Sequence, residues 1–223
     1  STYPSEEIER EKSVVIEEIR DSLDTPQDIA NDSFMEQMFP KHPYGYNIMG
    51  SVDSVSSFNI DTIRDFVDKQ YTSNRITVVA VGAVEHEKVV KLVEKLMGGH
   101  MTQNHDRKEY PLLDPIEKDR VLSRDISQSH LIIGRRSMGY NDKRRISYAV
   151  LNSILSAGMT SRLFHNIRER YGFAYTIYSF IDAFRSTGLF GVYVATDLKY
   201  ADRLKELIWN EFNKLKTDGI SVQ

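Results

Sequence analysis

Cysteine is absent from the 223-residue sequence, which excludes disulfides and thiolate metal sites and leaves cytoplasm and periplasm equally open. Long apolar runs are absent too: the stretch Ile76-Thr77-Val78-Val79-Ala80-Val81 is far too short to span a bilayer. The chain opens on a polar, acidic segment, Ser1 to Glu11, with no signal-peptide pattern. Nor is there an excess of basic charge. With 29 basic and 32 acidic side chains the balance is −3, so the composition does not point to nucleic acid as a partner. Arg135-Arg136 and Lys143-Arg144-Arg145 are short clusters without interleaved aromatic platforms and read as a solvated turn. What is present is an ordinary globular composition, 40% apolar, long enough to bury a core.

Periodicity divides the chain into elements. Glu6–Leu23 reads as a helix whose apolar arc holds Ile8, Val14, Val15, Ile16 and Ile19. Thr25-Pro26 opens a second helix to about Phe39, and Pro40–Gly50 is a loop. Asn59 caps a helix through Tyr71, with Ile63, Phe66 and Val67 on one face. Ile76–Val81 is expected to be a buried strand from its β-branched content. Glu85–Leu96 is an amphipathic helix with Val89, Leu92, Val93 and Leu96 turned inward. Gly98–Pro115 breaks the pattern and reads as a linker. Beyond it we expect strands near Lys118–Ile126 and Ser129–Arg135, then helices at Lys143–Leu155 and Ser161–Arg170. Strands at Phe173–Phe184 and Leu189–Ala195 and a helix at Tyr200–Leu215 complete the series. Segregated strands and helices point to an α+β fold with antiparallel sheets covered by helices. Both ends read as cuts in a longer protein.

Two pairs of residues carry potential chemistry. Glu11 and Glu18 lie seven residues apart, two turns along the apolar arc of the first helix. Carboxylates on a face that should pack inward are a local conflict of the kind functional sites produce, although buried ion pairs place charges there as well. Arg168 and Tyr175 are also seven apart. Taken alone they are a cation in the last turn of a helix and a tyrosine in a strand, both common structural placements.

The wider context adds to this. Arg10-Glu11-Lys12 with Val14-Val15 and Glu17-Glu18-Ile19, and Gly158-Met159 with Ser161-Arg162-Leu163-Phe164, Ile167-Arg168-Glu169, Gly172 and Ala174-Tyr175, resemble segments of one family. So do His42-Pro43-Tyr44-Gly45, Ile48-Met49-Gly50-Ser51 and Ser186-Thr187-Gly188-Leu189-Phe190, five matches in the family's order. The family is that of the zinc metallopeptidases related to pitrilysin, insulin-degrading enzyme and the mitochondrial processing peptidase. The resemblance implies that Glu18 is a zinc ligand and Glu11 an auxiliary carboxylate near the catalytic water. It implies that Arg168 anchors substrate backbone and that Tyr175 donates a hydrogen bond to the tetrahedral intermediate. Arg162 of the same motif reads as structural.

One part of the family signature is missing. None of His42, His86, His100, His105, His130 and His165 begins the H-x-x-E-H motif that supplies two imidazole ligands and a general base. His100 and His105 stand five apart with no acid between them and read as linker residues. We therefore expect the motif upstream of Ser1, and expect this chain alone to be inactive and to hold zinc weakly. The implied architecture is the later part of a catalytic domain over 1–97, a linker over 98–115 and most of a second domain over 116–223. The implied function is that of part of a zinc metalloendopeptidase that encloses a peptide or small protein between two domains. Partners would be that substrate and a second copy or a related chain, with no nucleic acid and no membrane. Because both residue pairs coexist here, self-association is favoured. The alternative is a non-catalytic, peptide-binding or structural subunit of the same fold.

Overall fold

The computed structural model describes residues 3–99 and 108–220. Its helices are α1 (Ser5–Asp24), α2 (Pro26–Met38), α3 (Val52–Ser57), α4 (Ile60–Gln70), α5 (His86–Met97), α6 (Arg145–Ser156) and α7 (Ala201–Asp218). Its strands are β1 (Ser129–Met138), β2 (Ala174–Ala183) and β3 (Thr187–Thr196). The chain clusters into two compact units, one of Ser1–Asp21 with Ile48–Pro111 and one of Ser22–Asn47 with Leu112–Gln223. The packing thus does not follow a single cut in the linker, because Ser22–Asn47 belongs with the second half. His100 and His105 lie outside the described residues.

The first unit is helical. On α1, Ile8 and Ile19 are buried. Asn59 caps α4 as its sequence position predicts, its side-chain oxygen accepting from the Thr62 N–H at 2.9 Å. The short helix α3 carries a reciprocal capping box between Ser51 and Ser54, a serine version of the usual Ser/Thr–Glu pairing that the sequence reading passed over.

Three expectations fail here. Ile76–Val81 forms no strand, and Val79 and Val81 are 77% and 93% exposed. β-Branched residues favour extended backbone, but a strand also needs a neighbour for its N–H and C=O groups. The described residues of this unit are otherwise helices and turns and offer no strand edge. The apolar faces of α4 and α5 are not covered either: neither helix has a buried residue, and Phe66, Leu92 and Leu96 are exposed. Lastly, Glu11 and Glu18 are exposed on α1 instead of facing inward.

The second unit is built on an antiparallel sheet of order β1-β3-β2. Central β3 is covered on both faces, which explains its near-continuous apolar sequence. Val192 and Val194 face a core with Ile177 of β2, Leu155 of α6, Leu163 and Ile167 of the following turn, and Leu204 and Ile208 of α7. Leu189 faces the opposite side, where Phe34 and Phe39 of the α2 region pack with Ile132 and Phe180. Gly134 and Gly191 are register partners on that face. A Cβ on Gly134 would stand 2.7 Å from Phe34 Cζ, and one on Gly191 would stand 2.6 Å from Phe180 Cζ. The paired glycines therefore make room for the edge-on Phe34–Phe180 contact, whose ring centroids are 6.1 Å apart.

The expected strand near Lys118–Ile126 is also absent. It is tied to other elements instead: the Lys118 carbonyl accepts from Gln37 Nε2 at 2.7 Å, and just upstream the Ile116 N–H donates to the Gln37 carbonyl at 2.9 Å. Arg124 Nη1 donates to the Leu23 carbonyl at 2.9 Å, and Arg120 pairs with Glu36 at 2.5 Å. The segment is laid along α2 and the end of α1 by side-chain bonds, not by a strand ladder. The fold remains helices with a small antiparallel sheet, as the segregated pattern predicts.

Candidate functional site

In the first unit the candidate groups are Glu11 and Glu18. Seven residues at 1.5 Å rise place them about 10 Å apart along the axis, rotated by only about 20°. Glu7, Glu9 and Glu17 each pair with a basic residue three positions on, namely Arg10, Lys12 and Arg20. Glu11 and Glu18 make no such pair among the described residues. Two exposed carboxylates without an ion-pair partner among the described residues thus share one side of α1.

In the second unit the candidate groups are Arg168 and Tyr175, and both occupy local irregularities. Residues Phe164–Glu169 wind as a π-helix instead of the expected α-helix. The Arg170 N–H reaches back to the His165 carbonyl, the five-residue spacing that defines such a turn. Arg168 is exposed there, its guanidinium 4.9 Å from the Phe164 ring centroid. The Gly172 N–H closes on the Arg168 carbonyl at 2.9 Å, and Gly172 adopts φ +65°, the left-handed turn that ends the helix. The chain then enters β2 through a register shift: Ala174 faces Thr196 while Thr176 faces Ala195. Tyr175 is the extra residue of that bulge.

Tyr175 is 52% exposed, and its hydroxyl donates to Asp197 Oδ1 at 3.2 Å. Lys199 Nζ stands 3.6 Å from the other Asp197 oxygen. The hydrogen bond to Asp197, with that carboxylate's charge, raises the Tyr175 pKa above its ordinary value. The phenol accordingly keeps its proton and remains a hydrogen-bond donor at neutral pH.

The π-helical turn is held from behind by Glu211 of α7, which is 3% exposed. Its Oε2 accepts from Asn166 Nδ2 at 2.9 Å and from Arg162 at 3.2–3.3 Å, while Oε1 accepts from Lys214 Nζ at 3.0 Å. Arg162 is therefore structural, as its motif position implies. Asp197 and Glu211 escaped the sequence reading. Nothing local marks Asp197, 22 residues from its tyrosine. Glu211 does leave a signal, since it follows Leu204, Leu207 and Ile208 at the next position of one buried stripe.

Residues 57–223 match the family model described as the peptidase M16 inactive domain. The chain belongs to the peptidase M16 family. Among curated M16 relatives, it is 32% identical over 223 residues to the uncharacterized zinc protease YmxG of Bacillus subtilis, covering 99% of this chain and 54% of that protein. An uncharacterized zinc protease of Rickettsia bellii is 30% identical over 216 residues, covering 96% and 52%. The chain thus spans about half the length of the curated relatives it matches. The M16 fold is shared with the crystal structure of a peptidase M16 inactive domain from Pseudomonas fluorescens, at a TM-score of 0.85 and 18% identity over 99% of this chain and 54% of that one. A protease from Helicobacter pylori matches at a TM-score of 0.80 and 21% identity, covering 98% and 55%.

The relatives' names imply zinc, yet the described residues of this M16 chain do not fit the ion by themselves. Two carboxylates about 10 Å apart along a helix cannot share one zinc directly. Among the described residues no group of three or more His, Asp or Glu is placed to hold a metal.

Proposed function

We propose that this chain is part of a zinc metalloendopeptidase in which an upstream H-x-x-E-H segment joins Glu18 to complete the metal site. Glu18 is the carboxylate ligand and Glu11 an auxiliary acid beside the metal-bound water. Arg168 anchors the peptide backbone, and Tyr175 donates its hydroxyl to the developing oxyanion. The peptide is enclosed between two domains, and the protein associates with a second copy or a related chain.

The observation that carries this reading is the local geometry of the second pair. Arg168 stands on a π-turn and Tyr175 at a β-bulge, two irregularities that proteins concentrate at functional sites. Both side chains are exposed donors, and Tyr175 is held protonated.

The test is the full-length parent protein, assayed for bound zinc and for peptide cleavage. Glu18→Gln should lower zinc content, and Arg168→Ala should depress cleavage with zinc content unchanged. Unaltered cleavage in both variants would overturn the reading.

A second reading is a non-catalytic, peptide-binding subunit of the same fold. It is favoured by the matched model itself, which is that of the family's inactive domain. A parent gene whose upstream segment lacks the two histidines would select it.

A further inference from the structure

At one end of the sheet in the second unit lies a cavity of about 500 Å³. Arg135, Arg136, Arg144 and Arg185 line it with Ser137 and Tyr148; Arg136 Nε donates to the Met38 carbonyl, while its buried Nη2 makes no hydrogen bond among the described residues. Asp142 also borders it but is already engaged: Arg144 Nη2 donates to Oδ2 at 2.7 Å and Arg144 Nε to Oδ1 at 3.1 Å. Arg135 and Arg185 have no acidic partner among the described residues. The Ser137 hydroxyl is buried and makes no hydrogen bond among them. A buried hydroxyl of this kind ordinarily has a partner, and two unpaired guanidinium groups lining the same cavity make an acceptor the fitting one. The N-terminus of α6 is already served by Asp142, whose Oδ1 accepts from the Arg144 backbone N–H at 2.9 Å, so the preference rests on the side chains.

We propose that this cavity binds a carboxylate of an acidic peptide. Planar guanidinium groups bind carboxylates bidentately, and the one aromatic ring in the lining, Tyr148, is packed edge-on against Phe190 with centroids 6.0 Å apart. The identification of the ligand as a peptide rests on the peptide-handling function proposed above. The cavity borders the β2–β3 turn, whereas Tyr175 sits at the opposite end of β2. Nine steps along that strand separate them by about 30 Å. It is therefore a secondary subsite remote from Tyr175, and one extended peptide touching both would span about nine residues.

The test is fluorescence anisotropy of a labelled peptide containing a run of glutamates, titrated with this chain without metal. The matched control carries glutamines. The glutamate peptide should bind at least about tenfold more tightly, the scale of one charge-assisted contact. That margin should shrink as salt is added. Arg185→Ala and Arg135→Ala should each remove most of it, Arg185→Lys only part, and the surface change Arg203→Ala none. Circular dichroism melting confirms that the variants remain folded. Equal affinity for the two peptides, or no loss in Arg185→Ala, would sink the proposal. Displacement by inorganic phosphate as effective as that by free glutarate would mark a general oxyanion site and overturn the peptide assignment. Binding is read without turnover, so an inactive parent leaves the result intact. Conversely, failure here leaves the zinc-peptidase reading to its own assays of metal content and cleavage.

Discussion

The Asn166 amide donates to the Glu211 carboxylate at 2.9 Å, tying the turn that carries Arg168 to the buried face of α7. Removing Glu211 leaves Asn166, Arg162 and Lys214 without their common acceptor. Glu211→Ala is expected to cost about 2–3 kcal/mol, measured by urea unfolding. On the proposed role of Arg168, the same variant in the parent should also weaken peptide binding, which a purely local stability loss would not do.

Glu211 also predicts a pH dependence. Burial opposes its ionisation, but hydrogen bonds from Lys214 and Asn166 and the charges of Lys214 and Arg162 outweigh that and lower its pKa. A depressed carboxylate stabilises the fold above its unfolded pKa, and that contribution is lost as pH falls through the folded value. Stability from this group should be level at neutral pH and decline below about pH 4.5. Glu211→Gln should flatten that part of the acid unfolding curve.

Tyr175 and Asp197 predict a titration. Asp197→Asn removes the acceptor charge that holds the tyrosine proton, so the phenolate should form at lower pH than in the unaltered chain. Ultraviolet titration, with Tyr175→Phe identifying the signal, measures the shift. An unchanged titration would mean that the 3.2 Å contact does not persist in solution.

Activity and stability should separate at the exposed pair. Tyr175→Phe should leave thermal unfolding nearly unchanged, because the hydroxyl makes only an exposed contact. On the proposed peptidase function, it should lower the parent's kcat by about 10²–10³, the loss typical of one oxyanion donor. A similar loss with intact kcat and raised KM would reassign Tyr175 to ground-state binding.

The glycine pair on the sheet predicts an overpacking effect. Gly191→Ala puts a methyl group 2.6 Å from Phe180 Cζ, and the ring cannot retreat without disturbing Phe34. A loss of about 1–3 kcal/mol is expected in denaturant unfolding.

The elements that were legible are those whose signals are local. The Asn59 cap, the Pro26 start of α2 and the amphipathic stripe of α7 each depend on residues within a few positions. Arg168 and Tyr175 were legible as a motif, and Glu11 and Glu18 as a spacing. What they lacked in the sequence was geometry. Around the π-turn Leu163 and Ile167 are both buried in the core, and β2 shifts register against central β3 between Ala174 and Thr176, relations set by distant residues.

Ile76–Val81 marks the limit most clearly. Its composition asks for a strand, and pairing, which composition does not encode, decides otherwise. Lys118–Ile126 fails for a related reason, because its neighbours are the side chains of α2 and the end of α1. By itself the sequence determined the longer α-helices, the Asn59 cap, the spacing of the two residue pairs and the family. Only the tertiary structure decided which strands exist, that Glu211 anchors the Arg168 turn, and that arginines of β1, of the start of α6 and of the β2–β3 turn meet at one cavity. Local elements follow from propensities and periodicity over a few residues. Pairing, shared acceptors and cavities depend on residues far apart in the chain, whose meeting is set by the packing of the whole unit.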